Sequence, residues 1–172
     1  INLLFIGDIL KKLYLIRHAK SSWKNLTLSD YDRPLNKRGK SNAPFMGNLL
    51  QQLGVKPDII VSSPAYRARK TAQLIAKEVK YNKKNIDYYE DLYEASVNNI
   101  IDTLKYLDDK NNVVFLIGHN PSLNLFAEEF LDFDENIPTC AILEIEFSCQ
   151  LWQEINSYNC KLITFEYPKK YL

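Results

Sequence analysis

The stretch Lys12-Leu13-Tyr14-Leu15-Ile16-Arg17-His18-Ala19-Lys20-Ser21-Ser22-Trp23 decides how the rest of this chain is read. Leu13 to Ile16 is a short apolar run of the kind that makes a strand buried on both faces. It ends abruptly in a basic pair, Arg17-His18, followed by small and polar residues. In a parallel α/β sheet, ligands bind at the carboxyl ends of strands, so an arginine and a histidine are expected at a sheet rim. The chain has 2 histidines. The second, His119, also follows an apolar run, Val113-Val114-Phe115-Leu116-Ile117, with only Gly118 between. A histidine after a strand is usually an ordinary loop residue. Its repetition in the equivalent place, with an arginine beside the first, points to chemistry instead. Imidazole changes charge near neutral pH and serves as acid, base or nucleophile. Guanidinium offers a planar fork matched to phosphate oxygens.

Outward from that stretch, helical and strand patterns alternate. Residues 21–33 read as a polar loop, and Pro34 keeps Arg33 away from helical geometry. Asn36 is a candidate N-cap for a helix over 37–53, where Ala43, Met46, Leu49, Leu50 and Leu53 recur at helical spacing. Pro44 lies inside that pattern, and Gly54 stops it. Residues 57–61 form a second buried strand. Ser63 is expected to cap a helix whose first residue is Pro64, with Arg67 in its first turn. An arginine near a helix N-terminus and a strand end is suited to an anion.

Further along, 86–89 reads as a short edge strand. Ser96 reads as the N-cap of a helix carrying Val97, Ile100, Ile101, Leu104 and Leu107. The third central strand is 113–117, followed by a helix over 121–131, an acidic loop over 132–139, and two half-exposed strands, 141–147 and 162–167. The expectation is an α/β fold: three α/β/α layers around a mainly parallel central sheet. It is read as one domain, 12–172, behind an N-terminal extension, 1–11, of unknown role.

Composition narrows the function. With 172 residues, 46% hydrophobic and 25% charged, the chain has ordinary globular make-up. A net charge of +1 lacks the basic excess of a nucleic-acid binder. Cys140, Cys149 and Cys160 are odd in number and fall outside CxxC or Cys/His metal spacing, so they read as reduced thiols of a cytoplasmic protein. The apolar run at 1–10 is too short to span a membrane and has no basic segment before it. Neither a metal nor a cofactor is expected, and neither nucleic acid nor membrane is an expected partner.

Three motifs resemble those of the histidine phosphatase superfamily, which includes phosphoglycerate mutases and acid phosphatases. Leu15-Ile16-Arg17-His18-Ala19 is similar to the family's Arg-His-Gly signature. The run Ser62 to Ala72 resembles its second motif, with Arg67 at the phosphate-binding arginine, and Gly118-His119-Asn120-Pro121 resembles its third. Within the family, Arg-His-Ala-Lys-Ser-Ser-Trp, Asp32-Arg33-Pro34-Leu35 and Leu92-Tyr93-Glu94-Ala95 look most like the short phosphohistidine phosphatases of SixA type. The resemblance implies a phosphoglycerate mutase-like fold and a two-step phosphoryl transfer. His18 would be the nucleophile, Arg17, Arg67 and His119 would bind the phosphoryl group, and Glu94 is the candidate proton donor.

The chain departs from larger relatives at Ala19, where the signature has glycine. It also departs at Lys20 and Lys24, where mutase-like members often carry Glu and Asn. These last two argue against a mutase. The implied substrate is a phosphohistidine-bearing protein. The alternatives are small phosphate esters, handled by a general phosphomonoesterase or a mutase, and a non-catalytic module that binds a phosphorylated protein.

Overall fold

The computed structural model describes residues 10–172. The expected extension, 1–11, lies outside the described residues except for its last two, and Lys11 already opens the first strand. Six strands form one sheet in the order β3-β2-β4-β1-β5-β6. They are β1 (Lys11–Arg17), β2 (Ile59–Ser62), β3 (Asp87–Tyr88), β4 (Val113–Gly118), β5 (Ile142–Phe147) and β6 (Cys160–Glu166). The pairs β3–β2, β2–β4 and β4–β1 are parallel, whereas β5 runs antiparallel to both β1 and β6. β5 alone runs against the rest, so the sheet is mixed and mainly parallel.

Four helices cover it: α1 (Lys37–Gln52), α2 (Tyr66–Glu78), α3 (Val97–Lys105) and α4 (Ser122–Leu131). Side chains alternate across a strand, and here both faces are buried. Leu13 and Leu15 of β1 join Val114 and Leu116 of β4 in a core with Ile100, Leu104, Leu123 and Phe126 from α3 and α4. Tyr14, Ile16, Phe115 and Ile117 point the other way, onto Ala43 and Met46 of α1 and Ala72 and Ile75 of α2. That is the three-layer α/β/α arrangement, and it explains why the central strands read as unbroken apolar runs.

Local signals set most boundaries. Asn36 caps α1 by accepting from the Gly39 amide, and Ser96 with Asn99 forms a capping box at α3. Gly39 also lets α1 approach the loop after His18: a Cβ there would lie 2.2 Å from the Lys20 carbonyl oxygen. Two helix starts need correction. The second helix begins at Tyr66, not Pro64, and Ala65 precedes it without a side-chain cap. The residue before a proline is pushed extended, so Ser63-Pro64 continues the strand's exit instead of entering the helix. The last helix begins at Ser122, with Pro121 at its N-cap position. A single 3₁₀ turn, Asp30–Asp32, interrupts the loop between β1 and α1.

The register prepares the site. Arg17 of β1 is paired with Gly118 of β4, and Ser62 of β2 with Ile117. The next residues, His18, His119 and Ser63, therefore emerge side by side at adjacent carboxyl ends. The three cysteines are free, with Cys140 buried. Among the described residues no helix is long and apolar enough to cross a membrane.

Candidate active site

His18 is buried, and its Nδ1 lies 2.8 Å from the Ala19 carbonyl oxygen. A carbonyl can only accept, so Nδ1 carries the proton and Nε2 keeps its lone pair. Burial is the main force pushing the imidazole down to about pKa 3, followed by the charge of His119; Arg67 and Arg17 push the same way. The ring is therefore neutral at physiological pH. The backbone around it is held by neighbours: the His18 amide donates to the Gly118 carbonyl (3.0 Å) and the Ala19 amide to Thr71 Oγ1 (2.9 Å). Ala19 does not have a positive φ, so the position that carries glycine in the family signature makes no conformational demand for it here.

His119 faces His18 with ring centroids 5.0 Å apart. Its Nε2 is 2.7 Å from Ser63 Oγ, a hydroxyl expected to cap α2 that accepts from the Ala65 amide (3.3 Å) ahead of the helix and also pairs with this ring. Burial first, then Arg67, pushes His119 down to about pKa 3, with Asp30 working in the opposite direction. The contact fits either direction of donation; where Ser63 donates to Nε2, the His119 proton sits on Nδ1.

Arg17 donates from Nη1 to the Ile137 carbonyl (2.8 Å), which ties the end of β1 to the 132–139 loop. Its pKa is lowered, first by burial and then by Arg67. Arg67 lies in the first turn of α2, as expected. The buried side-chain polar atoms without a partner among the described residues are Arg17 Nε, Arg67 Nε and His119 Nδ1. Buried donors are almost always paired. Three unpaired buried nitrogens, with Arg67 close enough to lower the pKa of Arg17 and of both histidines, make an arrangement suited to an anion.

A cavity of about 450 Å³ opens beside them, lined by Asp30, Arg67, Tyr93, Glu94, His119 and Pro121 among others. Glu94 is exposed on its wall, on a left-handed backbone (φ 51°), and makes no ion pair among the described residues. A cavity of about 540 Å³ around Cys149, at the other end of the molecule, lacks converging basic groups. Volume thus does not single out the site; the unpaired donors do. No group of three or more His, Cys, Asp or Glu able to hold a metal occurs among the described residues.

The profile of the "Histidine phosphatase superfamily (branch 1)" matches residues 13–102, which include Arg17, His18, Arg67 and Glu94. The chain belongs to the histidine phosphatase superfamily. An uncharacterised chloroplastic protein of Arabidopsis thaliana is 30% identical over 157 residues, 86% of this chain and 71% of that protein. Among solved structures, a candidate phosphohistidine phosphatase SixA from Agrobacterium tumefaciens superposes with a TM-score of 0.79. It is 26% identical and covers 92% of this chain and 98% of its own. The protein histidine phosphatase SixA complexed with tungstate shares the fold, with a TM-score of 0.78 at 19% identity and coverages of 92% and 98%. The residues of the resembling motifs thus fall together in space: Arg17 at the end of β1 and His18 just after it, Arg67 at the start of α2, and His119 after β4.

Asp30, Tyr93, Ser63 and Thr71 also stand in the site. None was singled out for it from sequence, because their contacts are made across 37 residues (Asp30 to Arg67), 63 (Asp30 to Tyr93), 56 (Ser63 to His119) and 52 (Ala19 to Thr71). Ser63, Thr71 and Tyr93 do lie inside the runs Ser62 to Ala72 and Leu92 to Ala95 that resemble family motifs, whereas Asp30, which pairs with Arg33 three residues on, lies in none of them.

Proposed function

We propose that this protein is a phosphohistidine phosphatase that works through a phosphorylated His18. The observation that carries this reading is the neutral His18, with its Nε2 lone pair free, beside three unpaired buried nitrogens, two of them arginine N–H donors. In the first step Nε2 attacks the substrate phosphorus. The new N–P bond forms as the bond to the leaving group breaks, and the electron pair goes to that group. In the second step water attacks phosphorus, the His18 N–P bond breaks, its electron pair returns to Nε2, and phosphate leaves. Charge accumulates on the phosphoryl oxygens, so catalysis is mainly positioning and electrostatic stabilisation. Arg17, Arg67 and His119 supply that through their unpaired N–H groups.

Two features favour a protein-borne phosphohistidine over small phosphate esters. The chain between Arg67 and His119 is used up by α2, β3, α3 and β4, leaving no inserted segment there to close over a metabolite. The proton supply is also modest. Asp30 is held at about pKa 2 by hydrogen bonds from Tyr93 and Arg67 acting against desolvation, so it stays ionised and cannot donate. Glu94 remains the candidate acid, free of ion pairs. A departing imidazole asks less of an acid than a sugar alkoxide does. The name carried by the Agrobacterium tumefaciens relative agrees with this choice.

The test is kcat/KM for a phosphohistidine-bearing protein against p-nitrophenyl phosphate, 3-phosphoglycerate and sugar phosphates. The phosphoprotein should win by at least about 10-fold, and brief incubation with labelled substrate should leave acid-labile, base-stable label on His18. Higher efficiency on the metabolites would replace this reading with a general phosphomonoesterase.

A further inference from the structure

We propose that Asp30 is a positioning residue, which turns the Arg67 guanidinium so that its side edge meets the phosphoryl group; this rests on the reading of the site given above. Arg67 Nη1 donates to the Asp30 carbonyl (2.6 Å) and Nη2 to its carboxylate Oδ2 (3.0 Å). A guanidinium has five N–H groups in a fixed plane. Asp30 takes one from each terminal nitrogen, at the tip of the fork. The Nε–H stays buried and unpaired, and with the neighbouring terminal N–H it forms the two-point edge that suits a phosphate. One residue therefore decides which edge of Arg67 is spent on protein and which is left for the ligand.

Asp30 is itself fastened from two more directions. Arg33 Nε donates to Oδ1 (3.0 Å), and Arg33 is fixed by Nη1 to Ser21 Oγ (2.6 Å) and by stacking over Trp23 at 3.5 Å. The Tyr93 hydroxyl donates to Oδ2 (2.7 Å), and the same ring sets its edge against His119, centroids 5.6 Å apart. The carboxylate thus links the β1–α1 loop, the start of α2 and the turn before α3. The Arg67 side chain is 7% exposed but the Asp30 side chain is 46% exposed. Water screens the Asp30 side of the pair, while the buried Arg67 side is held in one orientation, which is the consequence that matters for the site.

The experiment measures tungstate affinity and p-nitrophenyl phosphate hydrolysis for the wild type, Asp30→Asn, Arg67→Ala, the double variant and Tyr93→Phe. Asp30→Asn should weaken tungstate binding and lower kcat/KM by about 10–100-fold, the scale of a group displaced by roughly 1 Å. In the Arg67→Ala background it should add less than about 2-fold, because its effect passes through Arg67. Tyr93→Phe, which keeps both Arg67 contacts, should cost a smaller loss that also disappears without Arg67. It serves as the test if the Asp30 variant does not fold. Wild-type affinity in Asp30→Asn, or an equal loss with and without Arg67, overturns the proposal. A wild type that hydrolyses the ester and binds tungstate but ignores phosphohistidine proteins would defeat the substrate reading and leave this one standing.

Discussion

Strand β1 begins with a buried cation, Lys11, and ends with a half-buried one, Arg17, and the surroundings of the two differ. Lys11 is 1% exposed, yet its ammonium is satisfied: it donates to the Asp109 carbonyl and to Asn112 Oδ1 (2.8 Å), and lies 5.7 Å from the Trp152 ring centroid. Arg17 has one firm acceptor, the Ile137 carbonyl, and keeps a buried Nε without one. Both cost desolvation free energy. At Lys11 that cost is offset within the fold, whereas at Arg17 part of it is not, which is what the proposed phosphoryl ligand would offset. A buried cation therefore says little by itself; the bookkeeping of its N–H groups separates architecture from a binding site.

The largest expected effect lies next to Arg17. His18→Ala should lower turnover by about 10⁴-fold or more, the scale of losing a nucleophile, and should abolish trapped label. Near-native turnover would remove His18 from the mechanism. The comparison is sharpened by two substitutions of equal kind. Arg17→Met should reduce kcat/KM by about 10²–10³-fold and leave the denaturant midpoint nearly unchanged. Lys11→Met should leave kinetics within about 2-fold but cost about 1–3 kcal/mol, because two part-buried acceptors lose their donor. If Lys11→Met impairs catalysis as much as Arg17→Met, the contrast between the two ends collapses.

Acid should act on the site end. The folded values of His18 and His119 lie near 3, below the free value of 6.5, mainly through burial. Below 6.5 the unfolded chain binds more protons than the folded one, so stability falls as pH falls from about 6.5 towards 3. Phosphate at saturating concentration raises the denaturation midpoint at any pH in that window if it binds the folded site. For turnover, kcat/KM corrected for substrate ionisation should show no acid limb near 6.5. A limb there would mean that His18 titrates as an exposed histidine.

The smallest effects are expected from Glu94 and from chelation. Glu94→Gln should lower phosphohistidine turnover by less than about 10-fold, below the 10²–10⁴ of a full general acid, and EDTA should change nothing. A 10³-fold loss would make Glu94 the proton donor, and activity restored by a divalent ion would introduce a metal.

The sheet and its central strands were legible because a parallel strand buried on both faces must be apolar without alternation, as in Val113 to Ile117. The sites of Arg17, His18, Arg67 and His119 followed from where those runs stop. Ser63 was misread because its hydroxyl had two uses. Spacing shows the local one, acceptance from the Ala65 amide, which the fold keeps without starting the helix there; the distant one, His119, leaves no trace in the spacing. Asp30 was illegible for a related reason. In sequence it is one acid in a polar loop, and only the packing of that loop against α2 brings it to Arg67. Local periodicity carries no information about such contacts.

The acceptor that fixes the His18 tautomer is the carbonyl of Ala19, and every amino acid has one. Where a carboxylate side chain orients an imidazole, a single codon change deletes the acceptor. Here no codon change can. Substitution at residue 19 is limited by space, since its side chain is fully buried, but not by the need to preserve a functional group. Random mutagenesis should therefore find inactive variants at His18 itself and at the positions that shape the loop around it. It cannot find a class that keeps the backbone and loses only the partner of Nδ1.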